Sequence, residues 1–542
     1  MTHRARRGSV VVVVVWAVAI AAVLVAATQI VTFRQAVVGR ETLARVQARW
    51  AARAGVEQMI AIMEFHLENA DPDDPMAPVR DMEEHALGST ATGTWDIRHF
   101  LDGVEWAGPL DEGAKLNINT ATRTQLTNLP NMTPDVVDAI IDWRDADNNV
   151  GQLGAERDYY SGRSMGYSPR NGNFHSIAEL ELVAGAWPKY VRGEDWNLNG
   201  RLDPNEDDGP KSFPEDKPDG KLDAGWSGYL TAASKQSKMS LSGEDKLPLK
   251  GTDAESLVKR LGVTEDQAKA LSTYGSQANA KPENLLVTPL SQLAAGASGA
   301  GGGTGTGGTG TSSGSRSTGG ASTGGASTGG GRSGNNAIGV NVQMGGSTGS
   351  KGGGSSGVSS GGSSKGGTSG GGSTSSGGGS SGGGSSGGGG SGGGSSGRSS
   401  GGRSGTGGAT GVADLNPAQL RAVLRETTSD DYSKPVPGRM NINTVPESVL
   451  KEVLDFDPRL ADAIVARRKS KPEGIVSLAD LTGMSGVNPQ VLSQIATQFD
   501  VTSSVYTVTS RGRAASTGAE VEIEVVIDKS ELPAKILSYR EQ

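Results

Sequence analysis

The sequence contains no cysteine, only five histidines and few aromatic residues among its 542 residues. The absence of cysteine excludes disulfides, a catalytic thiol, a CxxC redox pair and a cysteine-ligated zinc site. No pairing of a nucleophile with a base is visible in the remaining sequence, which argues against an enzyme. Acidic residues outnumber basic ones, 59 to 51, so the net charge is −8 and the pI is about 5.4. This balance disfavours nucleic-acid binding, because duplex affinity depends on Lys and Arg that neutralise phosphates.

Glycine, by contrast, is abundant, with 83 residues, and most of it lies in residues 294–412. This segment consists almost wholly of Gly, Ser and Thr, and NNAIGVNVQM at 335–344 is its one apolar island. Such a composition buries too little apolar surface to fold, so the sequence predicts a disordered insert between folded parts of the chain.

The N-terminus reads as a membrane element. Residues 1–8, MTHRARRG, are basic, and no charged residue occurs from Val10 to Ala27. The apolar stretch over 9–31 contains about 22 residues, enough to span a bilayer, and the arginines favour a cytoplasmic N-terminus. A cleaved secretory signal, a plain anchor and a prepilin-type leader cut between Gly8 and Ser9 are the three alternatives, of which the first has too long an apolar core.

A helix is predicted to continue beyond the membrane over residues 32–68. The stretch 33–67 has no proline, and apolar side chains recur at helical steps. Leu43, Val46, Trp50, Ala54 and Met59 form the predicted apolar stripe. The helix is expected to end at Asn69, where the turn ADPDDP begins.

Two copies of one pattern lie on either side of the insert. KLNINTATRTQLTNLP at 115–130 returns as RMNINTVPESVLKEVL at 439–454, and VVDAIIDWR at 136–144 returns as LADAIVARR at 460–468. SIAELELVAG at 176–185 matches SLADLTGMSG at 477–486 in the same order. A fixed pattern of this kind indicates a duplicated supersecondary unit. We therefore predict two helix-hairpin-helix-like (SAM-like) units, in helical domains at 117–290 and 413–500.

Helix-hairpin-helix modules are best known for gripping DNA backbones. Here the hairpin turns, NLPNMTP and VLDFDPR, carry little positive charge and lack the usual glycine. The turns therefore favour a structural or protein-contact role over binding to nucleic acid.

A calcium loop is predicted at 193–207, GEDWNLNGRLDPNED, which matches the pattern D-x-[DN]-x-[DN]-G-x₅-E. Calcium binds six to eight oxygens, which a loop supplies from alternate residues, and glycine permits its sharp turn. The predicted ligands are Asp195, Asn197, Asn199, the carbonyl of Arg201, Asp203 and Glu206. The alternative is an acidic surface turn, and a structural ion is favoured over a sensor because no exiting helix follows the loop.

A weaker echo of this loop lies at 214–225, PEDKPDGKLDAG, with Asp216, Asp219 and Asp223 as candidate ligands. It lacks the terminal acid. DADNNV and GAERDYY within 145–160 offer further acids, at Asp145, Asp147 and Asp158, without a complete motif.

Strands are predicted around the helical domains, at 90–116 and 501–530. In the C-terminal stretch, Val521, Ile523, Val525 and Ile527 alternate with glutamates, as expected of a half-buried strand. The fold class is therefore α+β, with a long N-terminal transmembrane helix and a small antiparallel sheet interrupted by a large, mainly helical insert.

DEGAKLNINTA, IIDWRDAD, GAERDYY, SIAELELVAG, the second NINT, the basic leader and the final hairpin together resemble the K-type minor pseudopilins of type II secretion. The resemblance covers nearly all of the chain except 294–412. It implies a pilin-like fold, bound calcium and cleavage by prepilin peptidase after Gly8. Pilins generally carry Glu at the fifth mature residue, which is Val13 here, a departure known for the K type. Ser9 stands where an aromatic residue or Met is usual.

The resemblance also implies a place in the cell and a set of partners. The chain is expected in the inner membrane, with one span and a periplasmic bulk, and at the pseudopilus tip after assembly. Its expected partners are the I- and J-type minor pseudopilins and the major pseudopilin, and its expected role is to support protein export. A membrane-tethered DNA receptor and a calcium-binding surface protein are the alternatives.

Overall fold

The computed structural model describes residues 8–162, 166–298 and 411–542. Most of the predicted leader and of the predicted insert lie outside these ranges. The helices are α1 Gly8–Glu68, α2 Ala77–Glu84, α3 Arg123–Thr127, α4 Pro134–Arg144, α5 Arg157–Ser161, α6 Pro188–Val191, α7 Ala254–Leu261, α8 Glu265–Gly275, α9 Leu290–Ser298, α10 Pro417–Glu426, α11 Pro458–Lys469 and α12 Pro489–Gln498. The strands are β1 Leu87–Ser89, β2 Gly93–Leu101, β3 Val104–Ala107, β4 Leu110–Asp111, β5 Leu116–Asn117, β6 Leu230–Thr231, β7 Leu247–Pro248, β8 Thr427–Thr428, β9 Met440–Asn441, β10 Phe499–Asp500, β11 Val505–Ala514, β12 Glu520–Asp528 and β13 Lys535–Glu541.

An antiparallel sheet packs against the solvent-side half of α1. Its strand order is β1-β2-β11-β12-β13, with β3 paired to β2 and β4 paired to β11. Ile523, Val525 and Ile527 on β12 are fully buried in the core between helix and sheet, as their alternation predicts. The α+β, pilin-like architecture predicted from the sequence is confirmed.

Small residues bring α1 close to the sheet. Ala44, Ala48 and Ala52 are fully buried, and a Cβ placed on Gly512 of β11 would lie 2.0 Å from the carbonyl oxygen of Ala48. Only glycine permits this approach of strand backbone to helix backbone. The N-terminal part of α1 is exposed, and among the described residues it is the one helical stretch long and apolar enough to cross a membrane.

The predicted apolar stripe of α1 is wrong in part. Met59 is fully buried against the sheet, whereas the side chains of Leu43, Val46 and Trp50 are 57%, 45% and 59% exposed. The spacing of large apolar residues does not mark the packed face here, because that face is made of alanines. The stripe therefore divides between the core and an exposed face of the helix.

The two copies of the sequence pattern share the same side-chain hydrogen bonds. Asn119 accepts from the main-chain N–H of Phe174 at 2.7 Å and donates to its carbonyl at 3.1 Å. Asn443 makes the same pair of bonds with Ile475, at 2.8 and 3.0 Å. These asparagines clamp the loop that returns from the helical hairpin, which explains why the NINT segments are alike.

Arg144 and Arg468 hold equivalent positions at the ends of α4 and α11. Each guanidinium donates to two main-chain carbonyls of its own NINT segment. The acceptors are Ile118 and Ala121 in the first copy, and Ile442 and Val445 in the second. Desolvation lowers the pKa of both arginines. Both are therefore structural and do not face solvent as a basic grip for phosphates.

A third unit of similar design lies next to these two copies. The hairpin turns carry a left-handed residue at the same place, Asn131, Asp455 and Gly262, with φ of 58°, 54° and 63°. Each unit also closes with a short parallel strand pair, β5 with β6, β9 with β10, and β7 with β8. The third unit is built from 247–298 and 411–428, so the Gly/Ser-rich segment is an insertion within it.

The third unit takes residues from both of the helical domains predicted from the sequence, at 117–290 and at 413–500. Val423 of α10 is fully buried in one core with Leu257 of α7 and Leu271 of α8. The first two units share a separate core, in which the Asn128 amide donates to the carbonyl of Val453 at 3.1 Å.

Candidate functional site

The loop at 195–206 is organised by interlocking bonds between its polar side chains and its own backbone. The Asp195 carboxylate accepts from the N–H groups of Asn199 and Gly200, both at 3.0 Å. Asn197 Oδ1 accepts from Asn199 N at 3.0 Å, and Asn199 Oδ1 accepts from Arg201 N at 2.8 Å. Gly200 has φ of +66°, which favours glycine. The loop therefore presents side-chain oxygens at alternate residues, as a calcium loop must.

Glu206 closes the loop. Its Oε1 accepts from Trp196 N and its Oε2 from Asp203 N, both at 3.1 Å. Glu206 and Asp195 are 1% and 3% exposed. Desolvation raises the pKa of Asp195 to about 6, and desolvation together with the charges of Asp195 and Asp203 raises that of Glu206 to about 7. A bound divalent cation would stabilise both ionised carboxylates.

Asp203 has other partners. Its Oδ2 accepts from the side-chain amides of Asn197 and Asn199 at 2.9 and 3.1 Å, and its Oδ1 pairs with Arg511 of β11 at 2.5 Å. The Arg201 side chain turns away from the loop and contacts Asp96 on β2 at 3.3 Å. The six predicted ligands thus lie on one compact loop, and their oxygen-only donor set suits calcium.

The second predicted loop is arranged differently. Asp216 accepts from Gly209 N at 2.6 Å, Asp219 from Lys221 N at 3.0 Å, and Asp223 from Gly225 N at 3.0 Å. Asp219 and Asp223 thus each order a local turn, whereas Asp216 binds a segment seven residues earlier. Glu194 joins the two ends of this segment by accepting from the N–H groups of Lys217 and Asp223 at 2.9 and 3.0 Å. Metal binding at this segment stays a prediction.

A third acidic cluster overlaps the acids noted from the sequence at 145–160 but shares only Asp145 with the residues named there. Oxygens of Asp142, Asp145 and Glu156 lie within 4.8 Å of one another, and theirs is the one such group of acids in the described ranges. Both oxygens of Glu156 are buried without a hydrogen-bond partner. Desolvation, with the charges of Asp145 and Asp142, raises the pKa of Glu156. A cation would satisfy these orphaned oxygens.

The cluster joins the end of α4 to the start of α5 across the loop between them. Asp142 is on α4, Asp145 follows that helix, and Glu156 precedes α5. The acids noted at 145–160 included Asp145, whereas Asp147 and Asp158 are not in the cluster. Asp142 was not predicted as a ligand because its sequence context is that of a helix. The sequence does carry one signal, which is the acid three residues after Asp142, Asp145, directly beyond the end of α4.

The predicted processing site lies at the start of the described chain. Gly8 begins α1, and the preceding leader residues are outside the described ranges. The structure therefore leaves cleavage between Gly8 and Ser9 as a prediction.

One stretch of the chain matches the model of a known protein family. Residues 114–193 match the family model of type II secretion system protein K, first domain. A solved structure described as the GspK-GspI-GspJ complex from the enterotoxigenic Escherichia coli type 2 secretion system has a TM-score of 0.36 and 10% sequence identity, covering 92% of this chain and 96% of that chain. No curated protein matches the chain. The family-model match confirms the predicted resemblance to the K-type minor pseudopilins and contains the acidic cluster at Asp142.

Proposed function

We propose that this chain is a K-type minor pseudopilin that acts at the tip of a type II secretion pseudopilus and supports export of folded proteins. The observation that carries the proposal is the match of residues 114–193 to protein K of that system. The matched unit follows directly on a sheet packed against a long N-terminal helix, which is the arrangement that a filament subunit with a membrane-inserted precursor requires. The role is structural, without a catalytic step.

Tip placement is part of the proposal and rests on Val13. A subunit inside a pilin-like filament uses an acid at this position to pair with the N-terminus of a neighbour. Val13 has no charge, and the apolar run around it is unbroken. A subunit at the tip has no earlier neighbour whose N-terminus needs pairing. The K-type resemblance further implies I- and J-type minor pseudopilins as direct partners.

Loss of export tests the proposed role. Deleting the gene should leave secreted proteins in the periplasm, and the full-length chain should restore export. Gly8→Ala, which alters the predicted cleavage position, should restore export poorly and leave the leader attached, as seen by mass spectrometry of the membrane protein. Gly39→Ala is a matched control, because a Cβ at Gly39 meets nothing within 4 Å. Normal export in the deletion strain would contradict the proposal.

Calcium is proposed as a structural ligand, held by the 195–206 loop and by the Asp142, Asp145 and Glu156 cluster. The support is the buried carboxylates at both places, which no cationic side chain satisfies at Glu156 or Glu206. Binding of calcium to the folded chain alone would raise its melting temperature. An unchanged melting temperature on addition of calcium or of a chelator would remove this part of the proposal.

A further inference from the structure

The 195–206 loop lies on the outer face of the sheet and contacts several strands. Gly200 O accepts from Phe100 N of β2 at 2.7 Å, and Asn199 O accepts from Thr509 Oγ1 of β11 at 3.0 Å. Asn199 Nδ2 donates to Glu522 Oε1 of β12 at 2.8 Å. The loop is thus bonded to β2, β11 and β12.

Strand β13 lies at the edge of this sheet and has little buried surface. It is an edge strand that pairs only with β12, and its side chains are exposed except for Arg540, which is half-buried. Ile536 and Tyr539 are 52% and 50% exposed. An edge strand with so little apolar burial is expected to open locally at low free-energy cost.

Arg540 connects this strand to the loop. Its guanidinium donates to the carbonyls of Asn197 and Leu198 at 2.6 and 3.2 Å, and it also pairs with Glu524 of β12 at 2.5 Å. Two other ion pairs involve this strand. Glu541 pairs with Arg49 of α1 at 2.9 Å, and Lys535 pairs with Glu531, and all four side chains are solvent-accessible. Ion pairs of that kind contribute little. Arg540, through the loop carbonyls and Glu524, is therefore the main polar anchor of β13 outside its own ladder.

We propose that calcium in the 195–206 loop fastens the C-terminal strand β13 to the sheet through Arg540. The inference rests on the calcium binding proposed above. In the closed loop the carbonyls of Asn197 and Leu198 point to the guanidinium. Without the ion, repulsion between Asp195 and Glu206 opens the loop and withdraws both acceptors, so the edge of the sheet loosens while its centre stays folded.

Hydrogen exchange of the full-length protein in detergent, with calcium or with chelator, tests this coupling. If β13 opens only when the loop is empty, calcium at ten times its dissociation constant slows exchange in 535–541 about tenfold. Exchange in α8, which has no contact with the loop, should not respond. Arg540→Gln should exchange rapidly in both conditions, and Lys535→Gln on the same strand should behave as wild type.

Two further variants separate the loop from the acidic cluster. Glu206→Gln should abolish the calcium response of β13, whereas Glu156→Gln should keep it. Calorimetry on the same samples reports binding directly. If calcium binds at the loop and β13 exchanges at the same rate with and without it, the coupling is wrong while calcium binding stands. If no heat of binding is seen, the calcium proposal and the coupling both fail.

Discussion

Asp111 Oδ2 accepts a hydrogen bond from Asn441 Nδ2 at 2.9 Å, and this bond joins the sheet to the second helical unit. The same oxygen accepts from Thr444 at 2.6 Å, and Oδ1 accepts from Gly113 N at 2.7 Å. Asp111 lies on β4, far from Asn441 in sequence and on the other side of the insert. One carboxylate thus connects the DEGA segment to the second NINT segment and fixes how the unit sits on the sheet.

Asp111→Ala should destabilise the protein by roughly 2–3 kcal/mol, because it leaves the buried Asn441 amide and the Thr444 hydroxyl without an acceptor. Chemical denaturation followed by circular dichroism measures this loss. Asp266→Ala, which removes an exposed carboxylate at the start of α8, is the matched control. Equal stability of the two variants would show that the Asp111 contact contributes nothing.

Gly512→Ala should separate α1 from the sheet. The added Cβ would lie 2.0 Å from the carbonyl of Ala48, so either the helix or the strand must move. The expected cost is about 3 kcal/mol. Gly39→Ala on the exposed face of the same helix should be neutral or stabilising, by up to about 1 kcal/mol. Thermal melting of the full-length protein distinguishes the two, and a Gly512→Ala protein as stable as wild type would exclude the close approach.

Stability of the calcium-free protein should fall as pH rises from about 4 towards 7. Burial raises the pKa of Asp195 from 3.8 to about 6 and that of Glu206 from 4.5 to about 7. A carboxyl group whose pKa is raised by folding stabilises the fold below its unfolded pKa, and this stability is lost as pH rises through the folded pKa. Melting temperatures in chelator across this range provide the measurement.

Calcium affinity should show the opposite trend, because the ion binds the deprotonated carboxylates. Titration calorimetry at pH about 5.5, below both raised pKa values, and at pH about 7.5, above both, should show tighter binding at the higher pH. Glu206→Gln should weaken calcium binding and reduce its dependence on pH, whereas Asp266→Asn, at an exposed carboxylate on α8, serves as the control. Affinity that is equal at both values would contradict the assignment of ligands.

Glu156→Gln should remove one calcium ion per chain without unfolding the protein. The buried oxygens of Glu156 have no partner, so a neutral amide relieves their repulsion with Asp145 and Asp142 while lowering affinity for a cation. Native mass spectrometry counts bound ions in the wild-type and variant chains. The same count in both would show that the cluster holds no ion.

Much of this fold is readable from the sequence because its signals are local. The apolar run of α1, the alternation in β12 and the NINT repeat each specify a structure over a few residues. Sequence and structure agree on these three features. The 195–206 loop is equally local, since its predicted ligands and turn glycine lie within one short segment, and calcium binding there stays a prediction.

The third helical unit was not predicted from the sequence because it lacks a NINT segment and its last helix lies beyond the insert. Its closing motif, NPAQLRAVLRETT at 416–428, does resemble NPQVLSQIATQFD at 488–500, so a signal existed. The Asp142 cluster and the alanine face of α1 depend on tertiary packing. Spacing alone cannot reveal which face of a helix is buried when small residues do the packing.

The claim that this chain is a K-type tip subunit is tested most directly by its association with I- and J-type minor pseudopilins of the same cell. Native mass spectrometry of the three co-purified full-length proteins is the measurement. The predicted result is an equimolar ternary complex. It should be lost when the first two helical units are disrupted together by Asn119→Ala with Asn443→Ala, and retained in Lys535→Gln. Three proteins that migrate separately, with each correctly folded, would contradict the account.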